Sequence, residues 1–129
     1  INPKIVEGQI YGSFVHGLGG AFYEEMAYDE NGQYLTASFA DYMCPTAVEV
    51  PEVTVGHVET PSPLTVMGSK GCGESCTMSV PVCLANAVAD ALKPLGATVT
   101  RLPLRPNEIW QLIQDAKASN ASAGRGTTR

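Results

Sequence analysis

The run VEGQIYGSFVHGLGGAFYEEM, Val6 to Met26, decides the fold class, because Ile10, Phe14, Leu18, Phe22 and Met26 recur in it every four residues. That spacing lays one apolar stripe along a helix, so a helix is predicted from Val6 to about Glu24. Gly8, Gly12, Gly19 and Gly20 interrupt it, each costing up to about 1 kcal/mol relative to Ala in a helix interior. Glycines kept at such a cost imply a close approach to the backbone. The approaching group is either a second helix or a ligand lying against the side that carries Gln9, Gly12, His16 and Gly20.

Downstream, Asp29-Glu30-Asn31-Gly32 separates Met26-Ala27-Tyr28 from the run Tyr34 to Phe39. Asn-Gly supplies two positive-φ positions, so a tight β-hairpin is expected. Asp41 to Pro51 reads as a connection, and alternation from Val53 to Glu59 predicts a further strand. Thr60-Pro61-Ser62-Pro63 follows as a stiff extended loop, over the surface or into a site. Pro81, Leu84, Ala85, Val88, Ala91 and Leu92 repeat at helical spacing, with Ser79 as the expected N-cap and Pro94 and Gly96 ending the run. A buried helix is therefore predicted from about Val80 to Lys93. Thr98 to Leu102 reads as a short strand, and Ile109, Trp110 and Ile113 begin a last amphipathic helix. The order of elements argues for an α+β fold, helices packed on a small mixed or antiparallel sheet. Residues 1–117 form the ordered part, and the small, polar stretch 118–129 is expected to be a flexible tail or to be pinned by a partner.

The whole chain has 129 residues, enough for one globular core. Eight basic against thirteen acidic residues give a net charge of −5, with no basic stripe, which argues against a nucleic-acid partner. The uncharged stretch Ser75 to Ala89 is too short and too interrupted to span a bilayer. The first residue is Ile1, and no charged segment followed by an apolar one precedes the fold, so a cytoplasmic piece of something longer is expected. Cys44, Cys72, Cys76 and Cys83 are read as reduced thiols. Only Cys72 and Cys76 have a ligand-like separation for zinc, with His16 and His57 isolated.

The chemistry-bearing stretch is Met67-Gly68-Ser69-Lys70-Gly71-Cys72-Gly73-Glu74-Ser75. Its glycines let main-chain N–H groups approach a ligand, and Glu74 precedes a helix start. It matches neither a P-loop nor the dinucleotide fingerprint. Glu74 serves either as an acidic residue favoured near a helix terminus, with the glycines forming a turn, or as a carboxylate general base backed by apolar residues. A thiol mechanism at Cys72 or Cys76 would need a histidine brought close.

The blocks Glu7-Gly8-Gln9-Ile10-Tyr11-Gly12, His16-Gly17-Leu18-Gly19, Glu24-Glu25, Tyr28-Asp29, Ser38-Phe39-Ala40-Asp41-Tyr42 with Pro45, and Gly68-Ser69-Lys70-Gly71-Cys72-Gly73-Glu74 together resemble the C-terminal part of the large subunit of molybdenum hydroxylases. That family includes xanthine oxidase, aldehyde oxidase and aerobic carbon monoxide dehydrogenase. The resemblance runs from about Ile1 to Ile113 and implies part of a molybdopterin-binding domain. It implies that Glu74 is the general base, taking a proton from a molybdenum-bound hydroxyl that attacks an aldehyde or N-heterocyclic substrate. Electrons then leave through iron–sulfur clusters to FAD. By position, Gln9 contacts the pterin, as the plain cofactor or its cytosine dinucleotide, and the backbone of Ser69, Lys70, Gly71, Cys72 and Gly73 lines its molybdenum end. No residue of the chain is implied as a metal ligand. The implied partners are the remainder of the molybdopterin subunit, an iron–sulfur subunit and an FAD subunit, so the chain alone should not turn over. Cys72 stands where the family commonly has a small aliphatic residue, which leaves the substrate open. Two other functions compete: a non-catalytic assembly module of such a complex, and a portion of a carbon monoxide dehydrogenase large subunit. A cysteine-ligated zinc module is a third reading.

Overall fold

The computed structural model describes residues 1–73 and 75–125, with side chains described as far as Ser122. Three helices dominate: α1 (Pro3–Phe22), α2 (Ser79–Leu92) and α3 (Pro106–Arg125). Asn2 caps α1 by accepting from the Ile5 N–H at 3.3 Å, and Pro3 occupies the first turn, where its missing N–H costs nothing. The cap of α2 is Met78 rather than Ser79, and it makes no side-chain cap bond. Ser79 instead turns its hydroxyl to the Cys76 carbonyl at 3.2 Å. A short 3-10 turn, Lys93–Leu95, ends this helix at Gly96, whose φ of 73° is the left-handed cap that glycine adopts without strain.

The buried face of α1 coincides with the apolar stripe of the periodicity only at Leu18. Ser13, Gly17 and Ala21 are buried with Leu18 and Gly19, whereas Ile10, Phe14 and Phe22 are only half-buried. The contact face is thus turned by one residue, onto small side chains, because α2 approaches too closely for larger ones. A Cβ added at Gly17 would lie 2.6 Å from the Val80 Cβ and 3.2 Å from Pro81 Cδ. One at Gly19 would meet the Glu24 carboxylate at 2.7 Å and Pro45 at 3.0 Å. Gly8, Gly12 and Gly20 have nothing within 4 Å of that position. The glycines of α1 therefore divide into those that admit a neighbour and those that face open space.

A paired substitution measures this division. Gly17→Ala gains up to about 1 kcal/mol of helix propensity but overpacks the α1–α2 contact at a cost of roughly 1–3 kcal/mol. A net loss of stability in denaturant unfolding is expected. Gly12→Ala meets no neighbour and should leave stability unchanged or raise it. Equal effects of the two would show that the close approach at Gly17 is not maintained in solution.

The remaining core is small: Val80 and Leu92 of α2, Leu104 before α3 and Ala116 on it. Among the described residues β pairing is limited to an isolated antiparallel bridge, Tyr28 to Tyr34. The turn between them has one left-handed residue, Gly32 at φ 81°, not two. The Asp29 carboxylate organises it by accepting from the Asn31 and Gln33 N–H groups at 2.9 and 2.8 Å. The stretches Val53 to Glu59 and Thr98 to Leu102, read as strands, are irregular here, so the expected sheet does not occur among the described residues. Val53 and Val55 are half-buried while Thr54 and Gly56 are exposed, an alternation that suits one face of a sheet. Helix α3 continues to Arg125, through most of the stretch assigned to a tail, and residues 126–129 lie outside the described part.

Candidate functional site

Two hollows lie along α1, and residues on either side of Glu74 in sequence line them. Glu74 itself lies outside the described residues. On its N-terminal side, Lys70, Gly71 and Cys72 join Ile1 and Val6 at the start of α1, and the stretch Val58 to Pro61, around a space of about 490 Å³. On its C-terminal side, Cys76, Ser79, Val80 and Cys83 join Ile10 and Phe14 of α1 and the stretch Val53 to Gly56 around about 470 Å³. Both spaces share the same two walls, α1 and the extended segment 53–61. The Tyr11 hydroxyl holds these walls together by donating to the Val53 carbonyl at 2.9 Å.

The glycine loop suits an acceptor-rich ligand. No main-chain N–H of residues 70–73 is bonded to another main-chain group among the described residues. A Cβ at Gly71 or Gly73 would meet nothing within 4 Å. Uncovered N–H groups beside a hollow are what a pterin or phosphate, rich in acceptor atoms, can satisfy. No three His, Cys, Asp or Glu side chains gather as a ligand set among the described residues.

Of the residues assigned from sequence, Lys70, Gly71 and Cys72 share the larger hollow. Ser69 and Gly73 adjoin them in the chain without lining it. Gln9 is exposed on α1 between Val6 and Ile10, which line the two hollows, and is itself in neither. His16 is exposed, and all four cysteines are free thiols. Thr60 and Met67 were not singled out as site residues, yet both line the larger hollow. The Pro-Ser-Pro context of Thr60 is the one signal that pointed there.

A third hollow, about 250 Å³, opens between Met26, Tyr34, Phe39 and Tyr42. Burial first, then the Glu24 carboxylate, raise the Tyr42 phenol above its ordinary value, so it remains a neutral donor at physiological pH. Glu49, fully exposed, is held below the usual carboxylate value by hydrogen bonds from the Thr46 hydroxyl and N–H at 2.5 and 2.7 Å.

Residues 1–51 match the family model of a molybdopterin cofactor-binding domain. The chain is 47% identical over 109 residues to the nicotine 6-hydroxylase large subunit of Paenarthrobacter nicotinovorans, covering 84% of this chain and 13% of that protein. It is 40% identical to the carbon monoxide dehydrogenase large chain of Afipia carboxidovorans, over 87% of this chain and 14% of the other. Among solved structures, quinoline 2-oxidoreductase of Pseudomonas putida 86 superposes with a TM-score of 0.85 at 44% identity, covering 88% of this chain and 14% of that one. The chain thus spans only a small part of the length of the relatives it matches.

Proposed function

We propose, from the premise that this chain belongs to the molybdenum hydroxylase large-subunit family, that it supplies the general base and one wall of the cofactor pocket in a hydroxylase. The observation that supports this is the pair of hollows whose linings flank Glu74 in sequence and share α1 as a wall. When bound, the molybdopterin cofactor, plain or as its cytosine dinucleotide, supplies the oxidising metal centre. The chain's own residues do the rest. The main chain of Ser69 to Gly73 lines the cofactor, the N–H groups of residues 70–73 receiving its acceptor atoms while the Ser69 N–H stays bonded to the Val66 carbonyl. Gln9 contributes a polar contact from α1, and Glu74 accepts a proton at its carboxylate as the substrate carbon is attacked. Ile10, Phe14, Val53 and Val80 give the smaller hollow an apolar wall that excludes water.

The substrate class we assign is an N-heterocycle, with an aldehyde as second choice. Relatives at 47% and 44% identity are named for nicotine and quinoline, both N-heterocycles, against 40% for the one named for carbon monoxide. Electrons leave through iron–sulfur clusters and FAD on partner chains. No described helix is long and apolar enough to cross a membrane. We place the complex in the cytoplasm, where Cys44, Cys72, Cys76 and Cys83 stay reduced.

The rest of the large subunit completes the fold in this reading. Segment 51–61 makes no hydrogen bond from main chain to main chain among the described residues, and Val58, Leu64 and Val66 are about nine-tenths exposed, at 92%, 92% and 87%. We assign segment 51–61 to the small sheet of the cofactor domain, its pairing strands lying in the remainder of the subunit. Metal and pterin analysis of the complete large subunit in its complex tests the proposal. Stoichiometric molybdenum and pterin are expected, whereas an intact complex containing neither would make the chain part of an assembly module.

A further inference from the structure

We propose that Lys70 is a positioning residue. It acts through Thr60 to close residues 60–70 into a clasp that sets the main chain of the glycine loop, rather than by placing its charge on the cofactor. The inference rests on the reading of Glu74 given above. Its observation is independent: the Lys70 ammonium donates to the Thr60 hydroxyl at 2.5 Å, joining two residues ten apart that both line the larger hollow.

Inside that closure the segment is bonded to itself. The Ser62 N–H donates to the Gly68 carbonyl at 3.0 Å, and the Gly68 N–H to the Thr65 carbonyl at 3.1 Å. The Thr65 hydroxyl donates to the Ser69 carbonyl at 2.7 Å, and the Ser69 hydroxyl to the Val66 carbonyl at 3.1 Å. Met67 and Gly68 are consecutive left-handed residues, at φ 62° and 68°. Only glycine adopts that region freely, so Met67 is held there by its surroundings. A Cβ at Gly68 would also lie 2.7 Å from the Pro61 Cβ, so the two limbs of the clasp touch where no side chain can intervene.

A strained turn persists only if the segment around it is over-determined. The internal bonds fix the limbs, and the Lys70–Thr60 bond fixes the exit, the last point before Gly71. From Gly71 to Gly73 only Cys72 carries a side chain. The course of those peptides starts from the exit that the Lys70–Thr60 bond fixes. An ammonium tied back to Thr60 serves that purpose with its side chain while its peptide continues the loop.

The test uses the complete large subunit in its complex, with Thr60→Val, Lys70→Met, the double variant and the conservative Thr60→Ser. The expected result is a fall in kcat of roughly 10-fold in each single variant at unchanged KM, and no further fall in the double variant. Thr60→Ser should restore the wild-type rate, and molybdenum and pterin content should be unaltered throughout. Amide exchange at Ser62, Gly68 and Ser69, whose N–H groups are bonded inside the clasp, should accelerate by roughly 10-fold in both single variants. Loss of molybdenum or pterin in Lys70→Met but not in Thr60→Val would overturn the proposal, because the charge would then be holding the cofactor. Unchanged exchange at Ser62, Gly68 and Ser69 in both single variants would overturn it too. The exchange result stands even in a subunit that contains no molybdenum, so it separates failure of the clasp from failure of the proposed function.

Discussion

Glu74→Gln in the complete enzyme is expected to lower turnover by roughly 10²–10⁴-fold, the range over which general-base catalysis contributes, with molybdenum and pterin content unchanged. The substitution keeps the shape and most of the hydrogen-bonding capacity of the side chain and removes only its ability to accept a proton. A loss that appears in kcat and kcat/KM alike would mark an interaction made in the transition state, while a rise in KM alone would mark ground-state binding. The pH profile provides a second reading. If Glu74 must be ionised to act, the acidic limb of the wild-type kcat/KM profile follows its titration, and that limb should vanish from the residual activity of the variant. Wild-type turnover in Glu74→Gln would refute the base assignment outright. Loss of cofactor together with activity would make Glu74 a structural acid, the other role its sequence context allows.

How much of this was legible in the sequence depends on the range of the interactions concerned. The helices α1 and α2 were readable because periodicity and proline and glycine punctuation are local. The buried face of α1 was misread by one residue. A hydrophobicity pattern ranks Ile10, Phe14 and Phe22 above Ser13, Gly17 and Ala21, whereas a close helix crossing selects for the absence of bulk. Helix α3 extends past Lys117 into a stretch whose small, polar composition reads as a tail, since Ala118, Ala121 and Ala123 are good helix formers that carry no core signal. The stretch Val53 to Glu59 alternates as a strand would, but strand pairing is non-local, and among the described residues no main-chain group pairs with it. The glycine loop was visible as composition. Its clasp was not, because a lysine and a threonine ten residues apart form no pattern until the chain is folded. Family resemblance then drew attention to Glu74, which its immediate sequence context alone left as one of two readings.

Leu104→Ala should be the most destabilising single truncation in the described core, by roughly 2–5 kcal/mol. Leu104 is 1% exposed and is the largest side chain that is fully buried. It sits where the end of α1 meets the approach to α3, and its N–H donates to the carbonyl of Ala21, itself completely buried, at 2.6 Å. Its neighbour Arg105 pairs with Glu25 and Glu108, so the Leu104 N–H bond and these pairs together resist collapse of the backbone into the vacated space. Rigid surroundings place the cost toward the upper end, because the cavity stays open. A hollow of about 200 Å³ already borders Leu104, between Thr100, Glu108 and Leu112, and truncation would merge with it rather than be filled. Leu102, two residues earlier and 41% exposed, provides the control: Leu102→Ala should cost well under half as much, since the transfer term scales with the area removed from water. Denaturant unfolding of the complete subunit with each variant measures both values. Equal losses would mean that the remainder of the subunit covers Leu102 as fully as this segment covers Leu104, and that the α1–α3 junction is not the centre of the local core.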